Sequence, residues 1–354
     1  MRRQWLDNIR WFVVAVVVVY HIIYMFNSVG VINNTGVSGI AWLDAFLYFV
    51  YPWLMASLFV VAGMGARYSL EKRSGRQFAG ERAKRLLIPS IAGIFLVGWI
   101  NGYVTNMYGN LFPPGELPGV IQYIIYCLIG MGPLWFAHEL FLASMILLLI
   151  RAVDRQDKLW KLAGRATMPI ILLLFFSVWG SSYLFLTPVI EVYRNGIYVF
   201  MFLLGYFIFS HERVTDLLVT FRIPLLVAAL ACGVTYTAYY YGVNYTAREC
   251  LQSPFTNLYL WLAILAMLGC FKAWFHQSNR FTGYMNTNCF GIYMLHYPIL
   301  VLAAYLLEHF TNLSMIVIYL LLLLIGAAVV PGAVELVRRI PVIRFLLLGE
   351  NGRR

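Results

Sequence analysis

Ionisable side chains stand where this sequence is most apolar. His21 interrupts the run WFVVAVVVVYHIIYMF (11–26), His138 and Glu139 are neighbours in LWFAHELF (134–141), and His296 lies in GIYMLHYPIL (291–300). An imidazole titrates near neutral pH and is suited to taking or giving a proton. Inside a membrane such groups mark a function or a partner. Arg10 precedes His21 by eleven positions, which on an α-helix is about 20° from a whole number of turns and roughly 16 Å along the axis. Asp7 falls on the same face, one turn before Arg10. The first apolar run therefore presents a stripe of carboxylate, guanidinium and imidazole. Two readings of it stand: an interfacial Arg10–Asp7 anchor with a hydrogen-bonded His21, or a site in which His21 moves a proton. His138 and Glu139 point ~100° apart on a helix, so one lines a cavity while the other packs. His296, followed by Tyr297 and Pro298, reads as a satisfied histidine beside a proline kink or as a substrate contact.

A second constellation is RYSLEKRSGRQFAGERAKRLLIP (67–89), which carries seven basic residues. Arg82 and Arg85 are three apart, which on an α-helix sets them on adjacent positions of one side; Lys84 lies between them and Pro89 follows. Anchoring to anionic lipid accounts for the charge. The sharper reading is a polyphosphate site, because paired arginines recognise phosphate well. Coenzyme A is a polyphosphate ligand whose thioester end would reach into a bundle.

These residues need helices in lipid to hold them. Of 354 residues 62% are hydrophobic and only 12% charged, and mean hydropathy is +0.76; a soluble domain is nearer 45–50% apolar and about 25% charged. The expected fold is all-α, a polytopic transmembrane helix bundle of about ten spans forming one domain over residues 1–354. Spans are predicted near 11–30, 45–65, 86–104, 132–150, 166–186, 196–210, 223–241, 254–275, 284–306 and 313–334; segment 119–131 is too short to cross comfortably. Lys and Arg gather on one side, in the loops 67–85 and 151–165, at Arg213, Arg222, Lys272 and Arg280, and from Arg338 onward. The other side receives Arg194 and Arg248. By the positive-inside rule both termini are cytoplasmic, and the net charge of +11 is an orientation signal, not a nucleic-acid footprint. Five scattered cysteines without a CxxC give no metal spacing. Counted at ~1.5 Å per residue, His21, Glu139 and His296 all reach mid-membrane depth, which is compatible with one cavity; which of them face each other is not read from sequence.

In their order and placement these motifs resemble the acyltransferase-3 family of integral membrane acyltransferases, which includes a glucan-succinylating branch and O-acetylases. The family's Arg-x10-His motif is matched by Arg10 and His21 after Leu6-Asp7, and its Arg-x-x-Arg motif by Arg82 and Arg85 leading into RLLIP. FVVAGM (59–64), GPLWFAHELF (132–141) and GIYMLHYPIL (291–300) look like its further signatures. The resemblance covers residues 3 to about 300.

It implies transfer of an acyl group, acetyl or succinyl in type, from cytoplasmic acyl-CoA to a hydroxyl of a glycan or other envelope acceptor. His21 is then the expected general base. Arg10 contacts donor phosphate or carbonyl, or holds Asp7. Arg82, Arg85 and Lys84 hold the CoA phosphates. Glu139 orients an imidazole or binds the acceptor, with His138 and His296 as further substrate contacts. No metal is expected; the partners are acyl-CoA, the acceptor and the bilayer of the inner or plasma membrane. The rival class is a proton-coupled secondary transporter using midplane His and Glu, which the Arg10–His21 register and the Arg82–Arg85 pair do not serve. Oligomeric state is not legible.

Overall fold

The computed structural model describes residues 3–110, 117–187 and 194–352, and among these there is no strand. The main helices are α1 (Gln4–Tyr24), α2 (Ala41–Leu70), α3 (Gly75–Gly109), α4 (Gly119–Ile129), α5 (Gly132–Val153), α6 (Met168–Ser181), α7 (Asn195–Phe209), α8 (Glu212–Thr220), α9 (Arg222–Tyr240), α10 (Pro254–Trp274), α11 (Arg280–Phe310), α12 (Met315–Arg339) and α13 (Pro341–Leu348). Valine dominates residues 13–19, a composition that favours strand in water. In lipid the backbone must be satisfied within the segment, so the same run is helical.

Among the described residues eight helices are long and apolar enough to cross a membrane: α1, α2, α3, α5, α9, α10, α11 and α12. They coincide with eight of the ten expected spans. The expected span at 166–186 is the shorter apolar helix α6. The one at 196–210 is α7, which breaks after Phe209 and turns by 96° into α8. The turn falls where the sequence changes from GYFIF to the polar SHER (210–213). Segment 119–131 forms the eleven-residue helix α4, short as expected. The fold is thus an all-α polytopic bundle.

The chain divides into two compact units. The first gathers residues 1–13, 48–82 and 139–286. Its core is rich in aromatics, with Phe202, Tyr206, Phe209, Tyr259 and Trp261 buried. α2 and α7 cross here at two glycines. A Cβ on Gly63 would stand 1.9 Å from the Phe202 carbonyl oxygen, and one on Gly205 would stand 2.1 Å from that of Val60; only glycine lets the backbones come this close. Arg67, at the basic end of α2, pairs with Asp157 at 3.1 Å and Glu71 at 3.3 Å and lies 3.9 Å over the Trp160 ring. It belongs to the scaffold and is not a free cation of the 67–89 segment.

The second unit gathers residues 14–47, 83–138 and 287–354, with an aliphatic core that includes Val17, Leu300, Val301 and Leu322. α3 meets α4 closely: a Cβ on Gly102 would be 2.1 Å from the Tyr126 carbonyl oxygen. α13 packs on residues 88–93 of α3.

Candidate active site

In the second unit α1 and α11 bring His21 and His296 together. His296 is fully buried. Its Nδ1 lies 2.7 Å from the Tyr293 carbonyl oxygen and 3.2 Å from that of Ile292. Carbonyls only accept, so Nδ1 carries the proton and Nε2 of a neutral ring is an acceptor. That Nε2 is 3.0 Å from Nδ1 of His21, which is also 3.0 Å from the Val17 carbonyl oxygen. With two acceptors before it, His21 Nδ1 must be the donor. The chain of bonds therefore fixes the His21 tautomer and leaves its Nε2 as the basic nitrogen. Aromatic rings hold the imidazole from the side, with Tyr297 at 4.7 Å and Tyr20 at 5.3 Å between centroids. Tyr297 is itself tied, donating its hydroxyl hydrogen to Asn34 Oδ1. Pro298 sits inside α11 two residues beyond His296.

The Arg10 end of α1 belongs to the first unit. Arg10 Nη1 lies 2.8 Å from Asp7 Oδ1, and the Arg10 side chain is 40% exposed. Its guanidinium passes over Gly65 of α2, where a Cβ would meet Nη2 at 2.8 Å.

The first unit also buries Glu139 and Arg194, at 1% and 2% exposure. Arg194 Nη1 donates to the Pro52 carbonyl at 3.0 Å. Its Nε and Nη2 have no hydrogen-bond partner, and neither has either carboxyl oxygen of Glu139. Nε–H and Nη2–H form one edge of the guanidinium fork, the edge that accepts two oxygens side by side. Tyr198, buried and stacked on Phe59 at 5.0 Å, lies in the field of both charges. Groups left like this have unused bonding capacity that a polar ligand or water fills.

The expected phosphate residues are placed as follows. The regular α-helical stretch ends at Arg82, and residues 83–87 form wider π-helical turns, so the α-helical spacing assumed for Arg82 and Arg85 does not continue through Arg85. Arg82 lies over the Phe78 ring at 4.8 Å in the first unit. Lys84 and Arg85 are exposed and belong to the second. His138 is half-buried, with Nδ1 enclosed and unpartnered.

The acyltransferase-3 family model, described as an acyltransferase domain, matches residues 3–330. The chain belongs to the acyltransferase-3 family. This acyltransferase is a multi-pass integral membrane protein. Glucans biosynthesis protein C of Escherichia coli (strain K12) is 24% identical to it over 383 residues, covering 99% of this chain and 95% of that protein. Its counterpart from Shigella dysenteriae serotype 1 (strain Sd197) is also 24% identical, over 384 residues and the same shares. No solved structure matches.

Of the three residues placed at one depth, His21 and His296 meet in the second unit of the acyltransferase; Glu139 belongs to the first. His296 contacts His21 directly, so it is placed to position the imidazole; the sequence had left it as a satisfied histidine or a substrate contact. Arg194 was read only as an outside-loop charge. The one signal that singles it out is scarcity, since it is one of two basic residues on the side that excludes them.

Proposed function

We propose that this acyltransferase moves an acyl group from acyl-CoA to a hydroxyl of a glycan or other envelope acceptor, with His21 as general base. The observation that carries this reading is the hydrogen-bonded chain from the Tyr293 carbonyl through His296 to His21. It presents His21 with a bare Nε2, the state a base must have before reaction. Nε2 takes the proton of the acceptor hydroxyl as its oxygen attacks the thioester carbonyl. The C–O bond forms and the C–S bond breaks. The leaving thiolate recovers that proton from the imidazolium, giving the acyl ester and free CoA thiol. While the ring is cationic, His296 Nε2 accepts from His21 Nδ1–H and keeps it aimed. His296 is a positioning residue.

Arg10, held by Asp7, contacts the donor carbonyl or phosphate. Arg82, Lys84 and Arg85 attract the donor phosphates, and Glu139 with His138 contacts the acceptor. The glycan reading draws on the relatives named for glucan biosynthesis. The test is direct. Purified protein given acetyl- or succinyl-CoA and an envelope-glycan extract releases free thiol in step with acceptor ester, and His21→Ala lowers both by about 10²- to 10⁴-fold. Thiol release that is absent from the wild type, or unchanged in the variant, overturns the proposal.

A further inference from the structure

We infer that the cavity formed by the last turns of α12 with α13 holds phosphate groups of the donor's nucleotide. This inference rests on the acyl-CoA reading above. The cavity has a volume of about 330 Å³ and is lined by Arg338, Arg339 and Arg344 together with Glu335 and Glu350. These five residues lie beyond residue 330, where the family model ends, and Thr287 of α11 completes the wall.

Its three arginines differ. Arg338 is a strut. It donates to Asn288 Oδ1 and to the Thr287 carbonyl at 2.8 Å, and it lies 3.3 Å from Glu350 and 3.6 Å from Glu335. Those two carboxylates are therefore already engaged by one guanidinium. Arg344 is only 8% exposed. Its Nη1 donates to the Arg338 carbonyl at 3.2 Å, while its Nε–H is buried and donates to nothing, as is that of Arg338. Arg339 is exposed and makes no ion pair among the described residues. The wall thus offers buried N–H groups whose missing partner is an oxygen acceptor, beside cations that no carboxylate offsets.

A second contact extends this basic surface. Gly349, in a left-handed conformation (φ 65°), ends α13. A Cβ there would be 2.6 Å from the Lys84 carbonyl oxygen and 2.9 Å from Arg85 Cα. The backbone that carries Lys84 and Arg85 is therefore pressed against the residue preceding Glu350. Lys84 and Arg85 make no ion pair among the described residues. Planar guanidinium groups bind phosphate by charge-assisted, paired hydrogen bonds. The volume is at the lower end for small-molecule sites, enough for phosphates and a sugar, with the pantetheine arm left outside.

Calorimetry on the purified full chain, using free CoA and pantetheine as probes, tests the inference. The wild type is expected to bind CoA more tightly than pantetheine. Arg344→Gln and the exposed Arg339→Gln should each weaken CoA about tenfold, flatten its salt dependence and leave pantetheine unchanged. Unchanged CoA affinity in both variants, with unchanged melting temperatures, overturns the pocket assignment while leaving the donor reading intact. A wild type that does not bind CoA at all removes the donor reading itself. Should the variants keep CoA affinity but lose affinity for vesicles containing anionic lipid, the pocket belongs to a lipid headgroup and the inference falls.

Discussion

His21–His296 and Glu139–Arg194 are both buried polar constellations inside a membrane protein, and they are built in opposite ways. In the first, each nitrogen facing protein has an oxygen or nitrogen opposite it, and the chain of bonds ends on backbone carbonyls. In the second, four polar atoms are enclosed without partners: both oxygens of Glu139 and the Nε and Nη2 of Arg194. A buried polar group left unsatisfied costs about 1–3 kcal/mol, so a fold carries several of them only where something else gains. The closed constellation is preorganised and needs nothing more in order to act. The open one is completed by whatever binds to it. On the function proposed above, this difference would give proton transfer to the histidines and ligand contact to Glu139 and Arg194, and each half of that proposal can be broken separately.

The largest effect is expected at His21. A general base contributes about 10²- to 10⁴-fold in rate, so His21→Ala should lower kcat by that factor with donor affinity retained. Gln keeps a hydrogen-bonding group but offers no basic nitrogen near neutral pH, and His21→Gln should fail as badly. A Gln variant with near-normal turnover would make His21 a structural residue and send the search for a base to His138 or Glu139.

His296 comes next. Its replacement by Ala removes the acceptor behind His21 Nδ1 and frees the ring to rotate. Outer partners that orient a functional histidine are typically worth about 10- to 100-fold. If His296 acts only by positioning His21, as proposed, the loss should appear in kcat, with the KM of donor and acceptor little changed. A rise in KM with kcat preserved would return His296 to the substrate contact that the sequence left open for it.

How much of this was legible depends on the range of each interaction. The Asp7–Arg10–His21 stripe could be read because one helix fixes its register, and the observed 2.8 Å Arg10–Asp7 pair follows from three-residue spacing. The His21–His296 contact joins positions 275 residues apart; depth counting brought them to one level, but helix rotation and packing decide who faces whom. Arg338 and Arg344 were counted as orientation charges, since a loop tally treats every cation alike and cannot see that α13 folds back to enclose one of them. The break between α7 and α8 had a visible cause in SHER, yet an apolar run of about fifteen residues still reads as a span until the 96° turn is seen.

At the open constellation, activity and stability should part. Glu139→Gln keeps the shape and removes a carboxyl group that has no partner. Taking away an uncompensated buried charge is neutral or stabilising. The variant should therefore melt no lower than the wild type while the acceptor KM rises about tenfold, the magnitude of one lost polar contact of about 1.4 kcal/mol. Arg194→Gln should behave in the same way at the acceptor but keep less of the scaffold, because it also gives up the Pro52 bond. If Glu139→Gln instead melts markedly lower with KM unchanged, Glu139 is a structural partner in solution and the contrast between the two constellations disappears.

The smallest effect is expected at Asp7. Asp7 is buried, but the Arg10 side chain it holds is 40% exposed, and water around the guanidinium screens the pair toward the roughly 0–1 kcal/mol of exposed ion pairs. Asp7→Asn should therefore change stability by less than about 1 kcal/mol, measured by denaturant or thermal unfolding in detergent. Its effect on rate is the informative part. If Asp7 only tethers Arg10, the guanidinium still finds its place over Gly65, where the missing Cβ leaves room for it, and kcat/KM should fall by less than tenfold. Arg10→Lys keeps the charge but loses the planar fork, so it should cost more than Asp7→Asn. The reverse order would mean that the carboxylate carries the function and the guanidinium is its anchor, and the stripe along α1 would then have to be read from Asp7 upward.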